Sequence, residues 1–212
     1  MNDYESSMAI FFRLDMPIPA LTDSLENVGD FVTELKPYTQ RLSQDVQIGP
    51  PVLLLGSVDE IKFEYIGERY LLRFKCSIGQ MKRLFEEVCE AFSEDFAFSN
   101  TVRYFEFNFP GQPIPIDGGV NQIIRTLDVP SAKKVSQYFD IDELGPYSFS
   151  LSSPQSPLND RWINLDFTPL PTNPEGAIFL RITKRAKTDE EMKTFLQKMT
   201  DPEEIVKIAL EM

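Results

Sequence analysis

Carboxylates are the most abundant reactive side chains in this sequence, which has 33 acidic residues, two cysteines and no histidine. Without an imidazole, neither a Ser-His-Asp nor a Cys-His catalytic group can be assembled, and a histidine zinc site is excluded as well. Two cysteines are too few for a zinc site of four thiolates. We therefore expect no metal and no cofactor, and the composition favours a protein that is not an enzyme.

One acidic cluster has the composition of a cation site. Asp140, Asp142 and Glu143 precede Gly145-Pro146, and hard cations bind several carboxylate oxygens. The spacing lacks the further ligands of a calcium-binding loop, and charged runs of this kind usually form solvated turns. The three acids are candidate binding residues, with a solvated turn as the simpler interpretation.

Three acids within predicted strands are candidates for carboxylate catalysis. Glu64, Glu106 and Asp166 have apolar neighbours along the chain, and a pair of carboxylates across a sheet can hydrolyse a glycosidic bond. The same alternation is typical of the wet face of a half-covered sheet. A small-ligand-binding protein or carboxylate-dependent enzyme, with its cleft between the two halves of the chain, is therefore the alternative function.

Two arginines and the single tryptophan are the remaining candidate binding residues. Arg73 and Arg181 occupy matching places in the repeat described below, where they could contact an anion or a partner. Pairing with an acid on a neighbouring strand is the simpler role for both. Trp162 could anchor a ligand or a partner, although its position in an alternating segment also fits core packing.

The two thiols, Cys76 and Cys89, are expected to be reduced and structural. The first residues lack the basic start and apolar stretch of a secretory signal, and no window approaches 18 apolar residues. The sequence therefore predicts a cytoplasmic protein with no membrane span.

The charge balance narrows the class of partner. With 21 basic and 33 acidic residues the net charge is −12, and binding to nucleic acid or to an anionic membrane requires clustered Lys and Arg. We therefore expect no nucleic acid and no membrane as partners. The negative field favours another protein, preferably a basic one.

Hydrophobic periodicity predicts an α+β fold with prominent strands. Predicted strands lie at 8–16, 52–55, 61–65, 70–76, 102–109, 147–153, 162–167 and 177–183. Predicted helices lie at 25–35, 81–92, 120–127, 131–139, 192–199 and 205–210. Between them, Pro113-Ile114-Pro115 is predicted to bend the chain, and 153–160 and 168–176 are predicted to be loops, the second of them proline-rich.

The order of these elements suggests a tandem duplication. Pro17-Ile18-Pro19 and Gly49-Pro50 recur 96 residues later as Pro113-Ile114-Pro115 and Gly145-Pro146. The pattern predicts two β-α-β-β-β-α units, 1–98 and 99–212, with mainly antiparallel sheets and helices packed on one face. The second unit has longer loops and an extra C-terminal helix, and the two units could pack as one pseudo-symmetric domain. Chance is the alternative, because Pro and Gly mark turns in every fold.

Together these features favour a non-catalytic protein-binding module that acts through an acidic surface and proline-rich loops. An inhibitor of the immunity-protein or antitoxin kind, which masks a basic partner, is a specific version of that hypothesis. A protein that mimics DNA with ranked acidic side chains is a further alternative. An unpaired edge strand would allow a homodimer as well as a monomer.

Overall fold

The computed structural model describes residues 4–13, 47–49, 52–58, 61–66, 71–93, 102–127, 129–140, 144–154, 158–199 and 201–211. These residues form a mixed α+β fold, which confirms the predicted class. The strands are β1 (Glu5–Phe12), β2 (Gln47–Gly49), β3 (Val52–Val58), β4 (Ile61–Ile66), β5 (Leu71–Ser77), β6 (Val102–Pro115), β7 (Phe149–Ser152), β8 (Trp162–Leu170) and β9 (Asn173–Ala186). The helices are α1 (Ile78–Ser93), α2 (Gly119–Thr126), α3 (Pro130–Phe139), α4 (Asp189–Lys198) and α5 (Pro202–Ala209). The helix predicted at 25–35 lies outside the described residues.

The strands are hydrogen-bonded in the order β2-β3-β4-β5-β1-β6-β9-β8-β7. Strand β1 is antiparallel to both β5 and β6, with Met8 opposite Phe74 on one side and opposite Phe107 on the other. The chain divides into two compact units. Unit 1 comprises Met1–Asn108, Gln155–Trp162 and Thr183–Thr200, and unit 2 comprises Phe109–Pro154, Ile163–Ile182 and Asp201–Met212.

The core of unit 1 lies on one face of its strands. Because side chains alternate along a strand, the fully buried Met8, Phe74 and Phe107, which are opposite one another, share that face. Helix α1 packs on β1 and β5, and its Phe85 meets Phe105 edge-to-face with ring centroids 5.2 Å apart. Helix α4 covers the same face, since its Phe195 meets Phe107 at 5.4 Å.

The last two helices begin with acid-rich turns. Thr188 caps α4 by accepting a hydrogen bond from the Glu191 amide at 3.2 Å. Asp201 caps α5 by accepting from the Glu203 amide at 2.9 Å, with Pro202 following it. Side-chain oxygens at these positions satisfy amides that have no partner within the helix.

The predicted bend at Pro113-Ile114-Pro115 is wrong, because these residues belong to β6. Pairing of β6 with β1 ends at Asn108. Beyond that point β6 donates no hydrogen bond towards β1, so prolines are tolerated there.

The predicted proline-rich loop at 168–176 is also wrong. Pro169 lies in β8 and Pro174 in β9, and a tight turn at 171–172 joins the two strands. Prolines at strand ends near a turn remove few ladder hydrogen bonds. The chain therefore forms a hairpin here, in place of the loop that was expected to contribute to a binding surface.

No helix in the described part of the chain is long and apolar enough to cross a membrane.

Candidate binding surface

The described residues expose their large apolar side chains mainly in one stretch of unit 2. Ten such side chains are exposed, and seven of them lie between residues 129 and 151. Exposed apolar groups that are concentrated in this way mark interaction sites more often than scattered ones do. The seven are Val129, Val135, Tyr138, Phe139, Leu144, Tyr147 and Leu151.

Part of this stretch forms a continuous segment after α3, which we call the 144–151 surface and define by Leu144, Tyr147 and Leu151. Tyr147 is 51% exposed and Leu151 is 48% exposed. At Gly145 the backbone lies against α2, because a Cβ there would be 3.0 Å from Ile124 Cγ2. A larger residue would crowd the Ile124 side chain here, so a glycine favours this close approach of the 144–151 surface to α2.

Strand β7 fixes the end of the 144–151 surface. The Phe149 ring stacks on the buried Phe167 ring of β8, with centroids 4.5 Å apart and planes 7° from parallel. The Ser150 hydroxyl donates to Asp166 Oδ1 at 2.5 Å, and the Ser153 amide donates to the Ile163 carbonyl at 3.0 Å. Because these contacts hold the strand, Leu151 is presented to solvent on an ordered backbone.

Helix α2, on which Gly145 rests, is itself fixed within unit 2. Gln122 Nε2 and Thr126 Oγ1 donate to the Leu210 carbonyl at the end of α5, at 3.1 and 3.0 Å. The first residue of α2, Gly119, lies directly against the Pro174 carbonyl of β9. The helix that supports the 144–151 surface is thus held by contacts at Gln122, Thr126 and Gly119. A partner that binds this surface would therefore have to order little of the chain.

Unit 1 contains the predicted residue Trp162, within a cluster of arginines and aromatic rings. The Arg185 guanidinium carbon lies 5.1 Å from the centroid of the Tyr104 ring and 5.8 Å from that of Trp162. Arg103 lies 5.5 Å from the Tyr104 centroid and pairs with Asp160 at 3.2 Å. Burial raises the pKa of Tyr104 above its ordinary value, with Arg185 opposing the shift. The sequence did not single out Tyr104, Arg185 or Arg103.

Glu106, a candidate catalytic acid, takes part in this arginine–aromatic cluster. Its Oε2 accepts from Arg185 Nε at 2.6 Å, and its Oε1 accepts from Asn108 Nδ2 at 3.1 Å. The Thr183 hydroxyl donates to Asn108 Oδ1 at 3.1 Å and extends the network. Both carboxylate oxygens thus accept hydrogen bonds, one from Arg185 of β9 and one from Asn108 within β6.

The other two candidate acids have different surroundings. Asp166 lies in β8, where it accepts the hydrogen bond from Ser150. Of Glu64 the structure describes only the backbone, which lies opposite Arg73 in the β4–β5 pair.

The remaining predicted binding residues do not form one described cluster. Arg73 is half-buried in β5, and Arg181 is exposed in β9. Asp140 is exposed and ends α3 in the left-handed conformation, with φ 54°. Asp142 and Glu143 lie outside the described residues. The cation site and the equivalence of the two arginines therefore stay predictions.

Both cysteines are buried, and neither forms a disulfide. Cys76 Sγ lies 4.0 Å from Met81 Sδ, next to the buried Ser6 hydroxyl that donates to the Cys76 carbonyl at 3.1 Å. Burial strongly raises the pKa of the Cys89 thiol, and the nearby Asp189 carboxylate adds to the rise. A thiol held in its neutral form is a poor nucleophile.

The arginine–aromatic cluster leads to a stability prediction that the single tryptophan can report. Replacing Arg185 by lysine keeps the charge but removes the planar group that lies over Tyr104 and Trp162. We expect a loss of about 1–2 kcal/mol in the free energy of unfolding, with altered Trp162 fluorescence in the folded state. Urea unfolding followed by fluorescence measures both effects.

The control for that prediction is Arg83→Lys, because Arg83 is largely exposed and pairs with Glu87 one helical turn away. Exposed pairs of this kind contribute little, so its stability should stay within about 0.5 kcal/mol of the parent. If both variants lost the same stability, stacking on the rings would not stabilise unit 1.

Among the described residues, no group of three or more His, Cys, Asp or Glu side chains is arranged to hold a metal ion. The described features that favour a binding function are the exposed apolar side chains of the 144–151 surface and of α3. Comparison with models of known protein families finds none that matches this chain, and a search of curated proteins finds no relative.

Proposed function

We propose that the protein is a non-catalytic protein-binding module whose partner occupies the 144–151 surface. The observation that carries this proposal is the exposure of Leu144, Tyr147 and Leu151 on a backbone fixed by α2 and β8. Exposing apolar groups on an ordered segment costs free energy that a bound partner recovers. Because the segment is ordered before binding, little free energy is lost in ordering it, and most of the free energy of apolar burial contributes to affinity.

The backbone of β7 supplies a second element of recognition. In the order of the described strands, β7 has β8 on one side and ends the sheet, and its residues are exposed or half-exposed. Edge strands that avoid pairing usually carry a charge, commonly lysine, yet residues 147–153 contain no charged side chain. An extended segment of a partner can therefore pair with β7 as an additional strand, and its apolar side chains can contact Leu151.

Charge supports a basic partner. The Asp166 carboxylate lies beside Ser150 of β7, and the whole chain has a net charge of −12. Opposite charge accelerates association and suppresses acidic competitors more than it tightens the final complex. An inhibitor that masks a basic protein, in the manner of an immunity protein or antitoxin, is the specific form of this proposal.

The proposal is tested by changing one apolar side chain of the surface. With Leu151→Asp, we expect at least a tenfold loss of affinity for a partner isolated on the parent protein, because a carboxylate would replace a buried apolar contact. Calorimetry or surface binding at low salt measures the dissociation constant. The matched control is Ile208→Asp, the same type of change at an exposed apolar residue of α5 outside the surface.

Two results would count against the protein-binding function. One is the absence of any stoichiometric protein partner at low salt. The other is an equal effect of Leu151→Asp and Ile208→Asp on binding, which would place the partner elsewhere or show that acidic substitutions act through net charge alone.

We also propose that the fold arose by tandem duplication. The strand order supports this, because it has the same form from both ends: β1 and β6 lie side by side, β1 is followed by β5, β4 and β3, and β6 by β9, β8 and β7. In each series the neighbour of the first strand precedes a helix, α1 after β5 and α4 after β9. We further propose a cytoplasmic location, which is supported by two buried thiols that form no disulfide.

A further inference from the structure

The backbone of β7 points away from β8 at every second residue. The Ser153 amide donates to the Ile163 carbonyl of β8 at 3.0 Å, so the backbone groups of Ser153 point at β8. The register of β7 and β8 is unbroken from Phe149 to Ser152, and backbone groups alternate in direction along a paired strand. The amide and carbonyl of Ser150 therefore point away from β8.

The contact between Ser150 and Asp166 supports this direction independently. In an antiparallel pair, side chains lie closer together at the positions that exchange no backbone hydrogen bonds. Ser150 is opposite Asp166, and its hydroxyl donates to Asp166 Oδ1 at 2.5 Å, as expected at such a position. No described strand lies beyond β7 in the sheet. Ser150 thus presents an amide donor and a carbonyl acceptor at the edge of the described sheet.

The side chains near this edge differ between the two faces of the sheet. Leu151 and Leu165 are opposite each other and share one face, which is apolar here. Ser150 and Asp166 share the other face, because successive side chains of a strand alternate. Among the described residues, no lysine or arginine lies within 4 Å of the Asp166 carboxylate. The edge therefore combines outward backbone groups, an apolar face and a carboxylate that has no described cation beside it.

On the basis of the protein-binding function, we propose that β7 pairs with an extended segment of the partner in which lysine or arginine alternates with apolar residues. The segment runs antiparallel to β7, and the residue opposite Ser150 exchanges both backbone hydrogen bonds with it. The side chain of that residue lies on the polar face, whereas the next one lies on the apolar face against Leu151. A cation at the first position and an apolar group at the second therefore match the two faces of the edge.

A long basic side chain can reach Asp166 from the added strand. Strands lie about 4.8 Å apart, so the backbone of the segment would lie about 10 Å from that of β8. The Asp166 side chain is directed towards β7 by its hydrogen bond with Ser150, which shortens the gap that a lysine or arginine must span. Opposite charge at this position selects basic segments over acidic ones.

A second copy of this chain matches the edge less well. Residues 147–153 contain no charged side chain, so β7 of a second copy would bring no cation to Asp166. The net charge of −12 on each copy also opposes their association. A helix cannot replace the strand, because its backbone groups are hydrogen-bonded within the helix. An extended basic segment is the occupant that the backbone, the apolar face and the charge of the edge favour together.

Short capped peptides test the pattern on the full chain by fluorescence anisotropy at low salt. A peptide in which lysine and valine alternate should bind at least fivefold more tightly than one of the same composition with its lysines in one block. An alternating glutamate–valine peptide should bind no better than the block peptide. Methylation of the lysine backbone nitrogens should abolish binding, because these face Ser150, whereas methylation of the valine nitrogens, which face outwards, should be tolerated.

Substitution of Ser150 tests the edge on the protein side. Ser150→Pro removes the outward amide but none of the amides that bind β8, so β7 should stay paired with β8. We expect at least tenfold weaker binding of the lysine–valine peptide and of a partner isolated on the parent protein. The matched control is Ser150→Ala, which loses the hydroxyl but keeps the amide and should bind within about threefold of the parent. Circular dichroism checks each fold.

Asp166→Asn tests the charge. The amide oxygen can still accept from Ser150, so the change removes the negative charge without removing the hydrogen bond. Binding of the lysine–valine peptide should weaken several-fold, whereas binding of a glutamine–valine peptide should stay the same.

Three outcomes would overturn strand addition by a basic segment. The first is a lysine–valine peptide that binds no better than the block peptide, or that tolerates methylation of its lysine nitrogens. The second is a folded Ser150→Pro variant that binds peptide and partner as the parent does. The third is an equal effect of Asp166→Asn on both peptides. Loss of the partner with Leu151→Asp but not with Ser150→Pro would reject strand addition while leaving the protein-binding function in place.

Discussion

Replacing Phe107 by alanine is expected to lower the free energy of unfolding by about 3–5 kcal/mol. Phe107 lies in β6 with no exposed surface, packs on Phe195 of α4 and lies opposite Met8 of β1. The change removes a ring that joins a helix to the sheet and leaves a cavity that rigid strands on either side cannot fill. Urea unfolding followed by circular dichroism measures the loss.

The matched control is Phe139→Ala, which deletes the same ring from an exposed position in α3. Its effect on the free energy of unfolding should be within about 0.5 kcal/mol, because no core contact is lost. A Phe107→Ala variant as stable as Phe139→Ala would mean that this ring does not hold α4 on the sheet.

Replacing Gly119 by alanine is expected to destabilise unit 2 by about 1–3 kcal/mol, although alanine is normally the better residue in a helix. The added Cβ would overlap the Pro174 carbonyl oxygen of β9. Backbone cannot move aside as a flexible side chain can, so α2 would shift away from the sheet. Because Gly145 rests on α2, partner binding at the 144–151 surface should weaken as well.

Gly79 provides the opposite case for the same substitution. It lies in α1, and a Cβ added there would meet no atom within 4 Å. Gly79→Ala should therefore stabilise the protein by about 0.5–1 kcal/mol through helix propensity. Thermal unfolding of the two variants beside the parent tests the pair: a stabilising or neutral Gly119→Ala would show that α2 does not lie so close to β9.

The strands and helices of the described residues were largely predictable from periodicity. The alternation Phe105-Glu106-Phe107 encodes a strand with one buried face, and Leu84, Phe85 and Val88 recur at the spacing of a helix. Both signals are local and depend only on which side chains share a face. The prolines of β6, β8 and β9 misled the prediction because a proline's cost depends on whether the neighbouring strand needs its amide, which is a property of pairing.

The candidate site residues were harder to predict because their surroundings are non-local. Glu106 was recognised as an acid in a strand, but its partner Arg185 is 79 residues away in sequence. The position of Trp162 beside Arg185 likewise follows from the β6-β9-β8 order. No pattern within one segment contains that information. Whether the two halves are duplicates remains a proposal that the strand order supports.

Helix α3 shows a different limit of sequence reasoning. Val135, Tyr138 and Phe139 have the spacing of a core-facing stripe, and periodicity alone would bury them. In the structure they face solvent. The spacing alone therefore does not show whether an apolar stripe is buried within the chain, because that depends on how the helix is oriented against the rest of unit 2.

The central claim is that the 144–151 surface binds a protein, and site-specific crosslinking tests it most directly. A photoreactive amino acid at position 151, in the full chain inside cells, should give one discrete crosslinked protein that excess unlabelled parent suppresses and the Leu151→Asp protein does not. The same group at position 208 should give no such product. Equal crosslinking at both positions, or none at 151 under conditions where the protein is folded, would contradict the claim.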